Sequence, residues 1–110
     1  MSKVFITNRA GHDYSGAKKF GDLIFMTEGN QPRFHVSRMY STFCEFLKDS
    51  SPDDLILMTG FAHMNSVATA IFAFLHGRLN LLLYTGRDKY IVRKVILGEL
   101  LTKENSDESN

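Results

Sequence analysis

The chain has 110 residues, 44% of them apolar and 23% charged, and a net charge of +1. That length suits one domain that buries its core without disulfides or metal. The charge balance gives no reason to expect duplex nucleic acid or an anionic membrane as partner. The segment 103–110 carries one Lys against three acidic residues, so the rest is +3, with most of the excess before residue 40.

Val4-Phe5-Ile6 lies in a short run of strand formers, Lys3–Thr7, which ends in Asn8-Arg9-Ala10-Gly11-His12-Asp13. Asp13 to Phe20 has room for about two helical turns, with Asp13 or Ser15 as N-cap and Gly21 as the stop. Asp22–Met26 is a second strand, ended by the turn signal Glu28-Gly29-Asn30. Pro32 suits a first helical turn. From Arg33 the spacing predicts a helix with Val36, Met39, Tyr40, Phe43 and Leu47 on its apolar face, stopped by the segment 49–53.

Asp54–Met58 is a third strand, and its continuous apolar core implies burial on both faces. It runs into Thr59-Gly60-Phe61-Ala62-His63-Met64-Asn65. A helix from about His63 to His76 is apolar nearly all round, which predicts burial, and Gly77 suits its C-cap. The stretch from Phe61 to Gly77 lacks Asp, Glu, Lys and Arg but is shorter than the ~20 apolar residues of a membrane span. Leu79–Tyr84 is a fourth strand. Thr85-Gly86-Arg87-Asp88 is a turn, and Tyr90–Val95 alternates as a half-exposed strand, antiparallel to the fourth because the connection is short. Ile96–Leu101 either adds a short helix or extends that strand.

The order β-α-β-α-β-α-β-β, with right-handed crossovers, predicts an α/β domain over residues 1–102. Its expected architecture is three-layer, Rossmann-like or flavodoxin-like, with a mostly parallel sheet and an antiparallel C-terminal edge strand. If the strand order is 2-1-3-4-5, the switch point lies between the first and third strands, and the loops of His12 and His63 flank one crevice. Residues 103–110 are expected to form a polar, disordered tail.

Ligands of open parallel sheets bind outside the carboxyl ends of the strands. Three such ends carry small and polar residues, so the candidate ligand-binding residues are Asn8, Arg9, Gly11, His12, Thr59, Gly60, His63 and Asn65. Arg9 is suited to a phosphate or carboxylate, and a helix start after Thr59 offers free N–H groups to an anion. His12 and His63 are the acid/base candidates. The plainer alternative makes these clusters capped turns around a core helix. Cys44 is the single cysteine, so it cannot form an intramolecular disulfide, and a reducing compartment, the cytoplasm, fits. The opening Met1-Ser2-Lys3 does not read as a signal peptide. Four His without HExxH or paired spacing give no metal signature. No cofactor motif or nucleophile elbow is present.

The phrases Asn8-Arg9-Ala10-Gly11-His12-Asp13-Tyr14-Ser15 and His76-Gly77-Arg78-Leu79-Asn80-Leu81-Leu82-Leu83 resemble small α/β proteins encoded by tailed bacteriophages. That resemblance covers most of the chain and brings no assigned activity. A fainter likeness is to viral ring nucleases, which cleave cyclic oligoadenylate signals and carry a Gly-His-Asp-Ser-Thr motif before a mid-chain helix. Here Gly11-His12-Asp13 follows the first strand directly and Tyr14 comes next, so no catalytic residue is carried over.

The leading expectation is a phage-type cytoplasmic protein that binds an anionic small molecule, a nucleotide or nucleotide-derived signal. One alternative is a phosphodiesterase- or transferase-type enzyme using His12 or His63. Another is a structural or adaptor protein of a phage complex. An exposed edge at the final hairpin adds homodimerisation as a further expectation.

Overall fold

A computed structural model describes residues 2–31, 35–59 and 61–98. The strands are β1 (Lys3–Ile6), β2 (Asp22–Phe25), β3 (Leu55–Leu57), β4 (Arg78–Gly86) and β5 (Lys89–Ile96). The helices are α1 (Val36–Leu47) and α2 (Ala62–His76), with a 3₁₀ helix at Ser15–Phe20. Among the described residues the strands form one sheet in the order β2-β1-β3-β4-β5, parallel except for β5 against β4. This is the α/β architecture with an antiparallel edge that the element order implied. Glu99 onward, including the expected tail, lies outside the described residues.

Two apolar layers flank the sheet. On one face Phe5 and Ile56 meet Met39, Phe43 and Leu47 of α1 and Met64, Ala68 and Phe72 of α2. On the other, Val4, Ile6, Leu57, Leu82 and Tyr90 meet Tyr14 and Ala17 around the 3₁₀ helix. Right-handed crossovers explain the division. The chain moves one way across the sheet from β1 to β2 and the other way from β2 to β3 and from β3 to β4. The first connection therefore lies on the face opposite α1 and α2.

At the amino ends of the strands, the buried Asn80 amide locks the sheet. Its Nδ2 donates to the carbonyls of Pro52 and Asp54, at 2.6 and 2.8 Å, and its Oδ1 accepts from Arg78 Nε. Asp54 accepts from the N–H groups of Lys3 and Ser51.

Several sequence expectations change. The segment after Asp13 forms a six-residue 3₁₀ helix, and the Asp13 side chain is not its cap. Instead Asp13 Oδ1 accepts from the Ser15 N–H at 2.9 Å, closing a local turn. Within α1 only Met39, Phe43 and Leu47 are buried, while Val36 and Tyr40 stay exposed because their stripe is rotated away from the sheet. α2 is not buried all round either, since Phe74 and Leu75 face outward. Pro32 and Arg33 lie outside the described residues.

Candidate functional site

A crevice of about 290 Å³ opens at the carboxyl ends of the strands. The loop after β1 supplies His12, Asp13 and Tyr14, β3 and its end supply Leu57, Met58 and Thr59, and the β4–β5 hairpin supplies Tyr84, Asp88 and Tyr90. It begins at the β1/β3 switch point and extends towards β4 on the face of the 3₁₀ helix.

The wall is built by three tyrosines. Tyr14 packs edge-on against Phe25 at 5.3 Å, and its hydroxyl lies between the Asn8 carbonyl and the Ala10 N–H. Tyr84 and Tyr90 are opposite each other across the hairpin, with ring centroids 5.2 Å apart. Gly16 allows the closure. A Cβ there would fall 2.5 Å from the Asp88 carbonyl oxygen, so only glycine lets the 3₁₀ helix approach the hairpin so closely. Burial pushes the Tyr90 phenol above its ordinary value, and the neighbouring Tyr84 and Asp88 act in the same direction. The Ser15 N–H holds the Asp13 carboxyl below its ordinary value, helped by the Ser15 side chain and Lys18.

The eight residues singled out in the sequence fall in different places. His12 and Thr59 line the crevice. Asn8 and Arg9 instead stitch the loop after β1 to the loop after β2. Asn8 Nδ2 donates to the Gly29 carbonyl at 3.0 Å, and its Oδ1 accepts from Thr27 Oγ1 at 2.8 Å. Arg9 continues the parallel pairing through Glu28, and its guanidinium lies 4.6 Å from the Phe25 ring centroid and 3.8 Å from the Glu28 carboxylate. Gly11 is exposed with open space around it. Gly60 lies outside the described residues.

His63 and Asn65 sit in the first turn of α2, on the other face of the sheet from the 3₁₀ helix. Opposite crossovers carry the two histidine loops apart, so His63 is not part of the lining His12 belongs to. Asn65 Oδ1 is 3.3 Å from Thr7 Oγ1, which also donates to the Thr59 carbonyl. The His63 ring stacks on Phe61, and its Nε2 is buried with no hydrogen-bond partner. Phe61 precedes α2 without a side-chain cap, and the N–H groups of Met64 and Asn65 turn to its carbonyl. The N–H groups of Ala62 and His63 thus have no partner within the helix.

Tyr14, Met58, Tyr84, Asp88 and Tyr90 were not singled out by the sequence. The signal for the hairpin residues was the strand order itself, because in the order 2-1-3-4-5 the end of β4 also points at the crevice. Chemically the crevice offers aromatic faces, hydroxyls and two carboxylates, and among the described residues no Lys or Arg lines it.

The fold and crevice together define a small α/β protein with the flavodoxin-like strand order and a cleft at its switch point. The family model described as Phage Pam3 gp32-like protein matches residues 2–95, and the chain belongs to that family. No curated protein and no solved structure matches it. The phage likeness of the sequence thus has a family behind it, and the ring-nuclease likeness does not. No described helix is long and apolar enough to cross a membrane.

Proposed function

We propose that this phage-family protein binds a nucleoside or nucleotide, or a signal derived from one, with its heterocycle in the tyrosine-lined crevice. The observation that carries the reading is that Tyr14, Tyr84, Tyr90 and Met58 surround a cleft of about 290 Å³ that also presents the carboxylates of Asp13 and Asp88. Aromatic faces stack on bases at ~1–3 kcal/mol per base. The carboxylates accept hydrogen bonds from exocyclic amino groups. The phosphate end then points away from them, past Thr59 towards the first turn of α2. Arg9 takes a supporting place in this reading, because Glu28 and Phe25 already hold its side chain.

Binding without turnover is the favoured form. His12 has a ring contact with Tyr14 but, among the described residues, no side-chain hydrogen bond that would fix its tautomer or aim it at a substrate. A catalytic base is normally oriented by a third group. A cytoplasmic site of action fits the lone Cys44.

Thermal-shift and native mass measurements with a panel of nucleosides and nucleotides test the proposal. Stabilisation by an amino-bearing base, lost in Tyr84→Ala and Asp88→Ala and retained in Arg9→Ala, is the expected result. No shift and no adduct across the panel would refute it.

A further inference from the structure

We infer that the outer face of α1 and α2 is a self-association surface, on which a second copy of this chain packs about a twofold axis. The inference is independent of the ligand reading.

The face is too apolar for a surface facing only water. Phe74 is 89% exposed, Tyr40 55%, Val36 46% and Leu75 44%. Together with Ser37, Ser41, Lys48, Val67 and Ala70 they line a groove of about 850 Å³. Taking roughly 200 Å² for a whole aromatic side chain, Phe74 and Tyr40 alone expose on the order of 300 Å². With Val36 and Leu75 the apolar patch reaches about half of the ~800 Å² that each partner buries in a stable complex, the polar rim of such an interface supplying the rest.

Two features point to a second copy. A twofold interface must be complementary to itself. Here one patch carries both a projecting knob, Phe74, and an open groove with the small residues Ser37, Ser41 and Ala70 in its lining, so two copies each seat Phe74 in the other. The second feature is charge. Arg38 and Glu45 are two turns apart, on one edge of α1, with the groove residue Ser41 between them. Among the described residues Glu45 has only the exposed Lys48 as ion partner, at 3.0 Å. Arg38 has no ion pair among the described residues. When α1 packs antiparallel to its symmetry mate, Arg38 of each copy faces Glu45 of the other. The final hairpin edge, where the sequence suggested dimerisation, has no such matched pair of features; Lys89, Arg93 and Lys94 lie along β5 and repel a second β5.

Sedimentation equilibrium of the full chain, from low micromolar to several hundred micromolar, tests this. The expected result is a reversible dimer. Phe74→Asp should raise its Kd by roughly 100-fold or more, as burying a charge at the centre of an interface does, and Phe74→Leu should keep most of the affinity. Arg38→Glu should weaken the dimer, and the Arg38→Glu/Glu45→Arg double variant should restore it. Phe74 and Arg38 are exposed, so circular dichroism melts should match the parent. A monomeric parent at every concentration overturns the inference and assigns the face to another partner. A dimer whose Kd is unchanged by Phe74→Asp and Arg38→Glu overturns it in favour of another surface. Loss with Phe74→Asp but no rescue by the charge swap overturns the antiparallel pairing.

Discussion

Tyr90 shows how a side chain can serve the core and the crevice together. Its ring is buried in the layer under the 3₁₀ helix while its edge reaches the cleft. Burial disfavours the phenolate, so the folded protein holds this proton more tightly than the unfolded chain. The stability contributed by the neutral phenol is complete below the ordinary tyrosine value of about 10 and is lost as pH rises from there through the raised folded value. An absorbance titration should show a late-ionising tyrosine phase, and Tyr90→Phe should reduce both that phase and the alkaline loss of stability. His63 gives a second test at this scale. Its buried Nε2 lacks a partner, which normally costs about 1–3 kcal/mol. His63→Leu should therefore leave the melting temperature unchanged or raise it, and it should weaken nucleotide binding if the phosphate lies over the start of α2. A marked loss of stability in His63→Leu would contradict this account of the ring.

Among the elements, the β4–β5 hairpin sets one wall of the crevice, and its turn is strained. Arg87 and Asp88 both have positive φ, at 52° and 60°, the conformation of a two-residue turn that favours Asn-Gly. Arg87→Asn should stabilise the fold by about 0.5–1 kcal/mol in denaturant unfolding, whereas Arg87→Val should destabilise it. Gly16→Ala should destabilise by about 1–3 kcal/mol, because the new methyl collides with the Asp88 carbonyl. At the opposite end of the sheet, Asn80→Leu should also cost about 1–3 kcal/mol by stripping the Pro52 and Asp54 carbonyls of their donor. The strands were legible in the sequence because short apolar runs bounded by Gly, Asn and Asp have few other solutions. The 3₁₀ helix was not, because six residues ending at Gly21 look alike as α or 3₁₀. Nor was the exposure of Val36, Tyr40 and Phe74. Periodicity says which residues share a stripe but not how a helix rolls on the sheet. Asn8 and Arg9 read as ligand groups in the sequence because nothing there shows that Thr27, Glu28 and Gly29 come alongside to bind them.

For the whole molecule, the topology separates two surfaces. The crevice lies at the strand ends on the 3₁₀ face, and the apolar groove lies across the sheet, on the outer side of α1 and α2. A dimer built on that groove leaves both crevices open, so ligand affinity and dimer affinity should vary independently. The central claim is that the tyrosine-lined crevice is the binding site, and amide chemical-shift mapping tests it most directly. With an amino-bearing nucleotide added, the account predicts saturable shifts centred on Tyr14, Thr59, Tyr84, Asp88 and Tyr90, extending to Ala62 and His63 only when the phosphate is present. Shifts confined to α1 and α2, or no saturable shifts with any nucleoside or nucleotide, would contradict it.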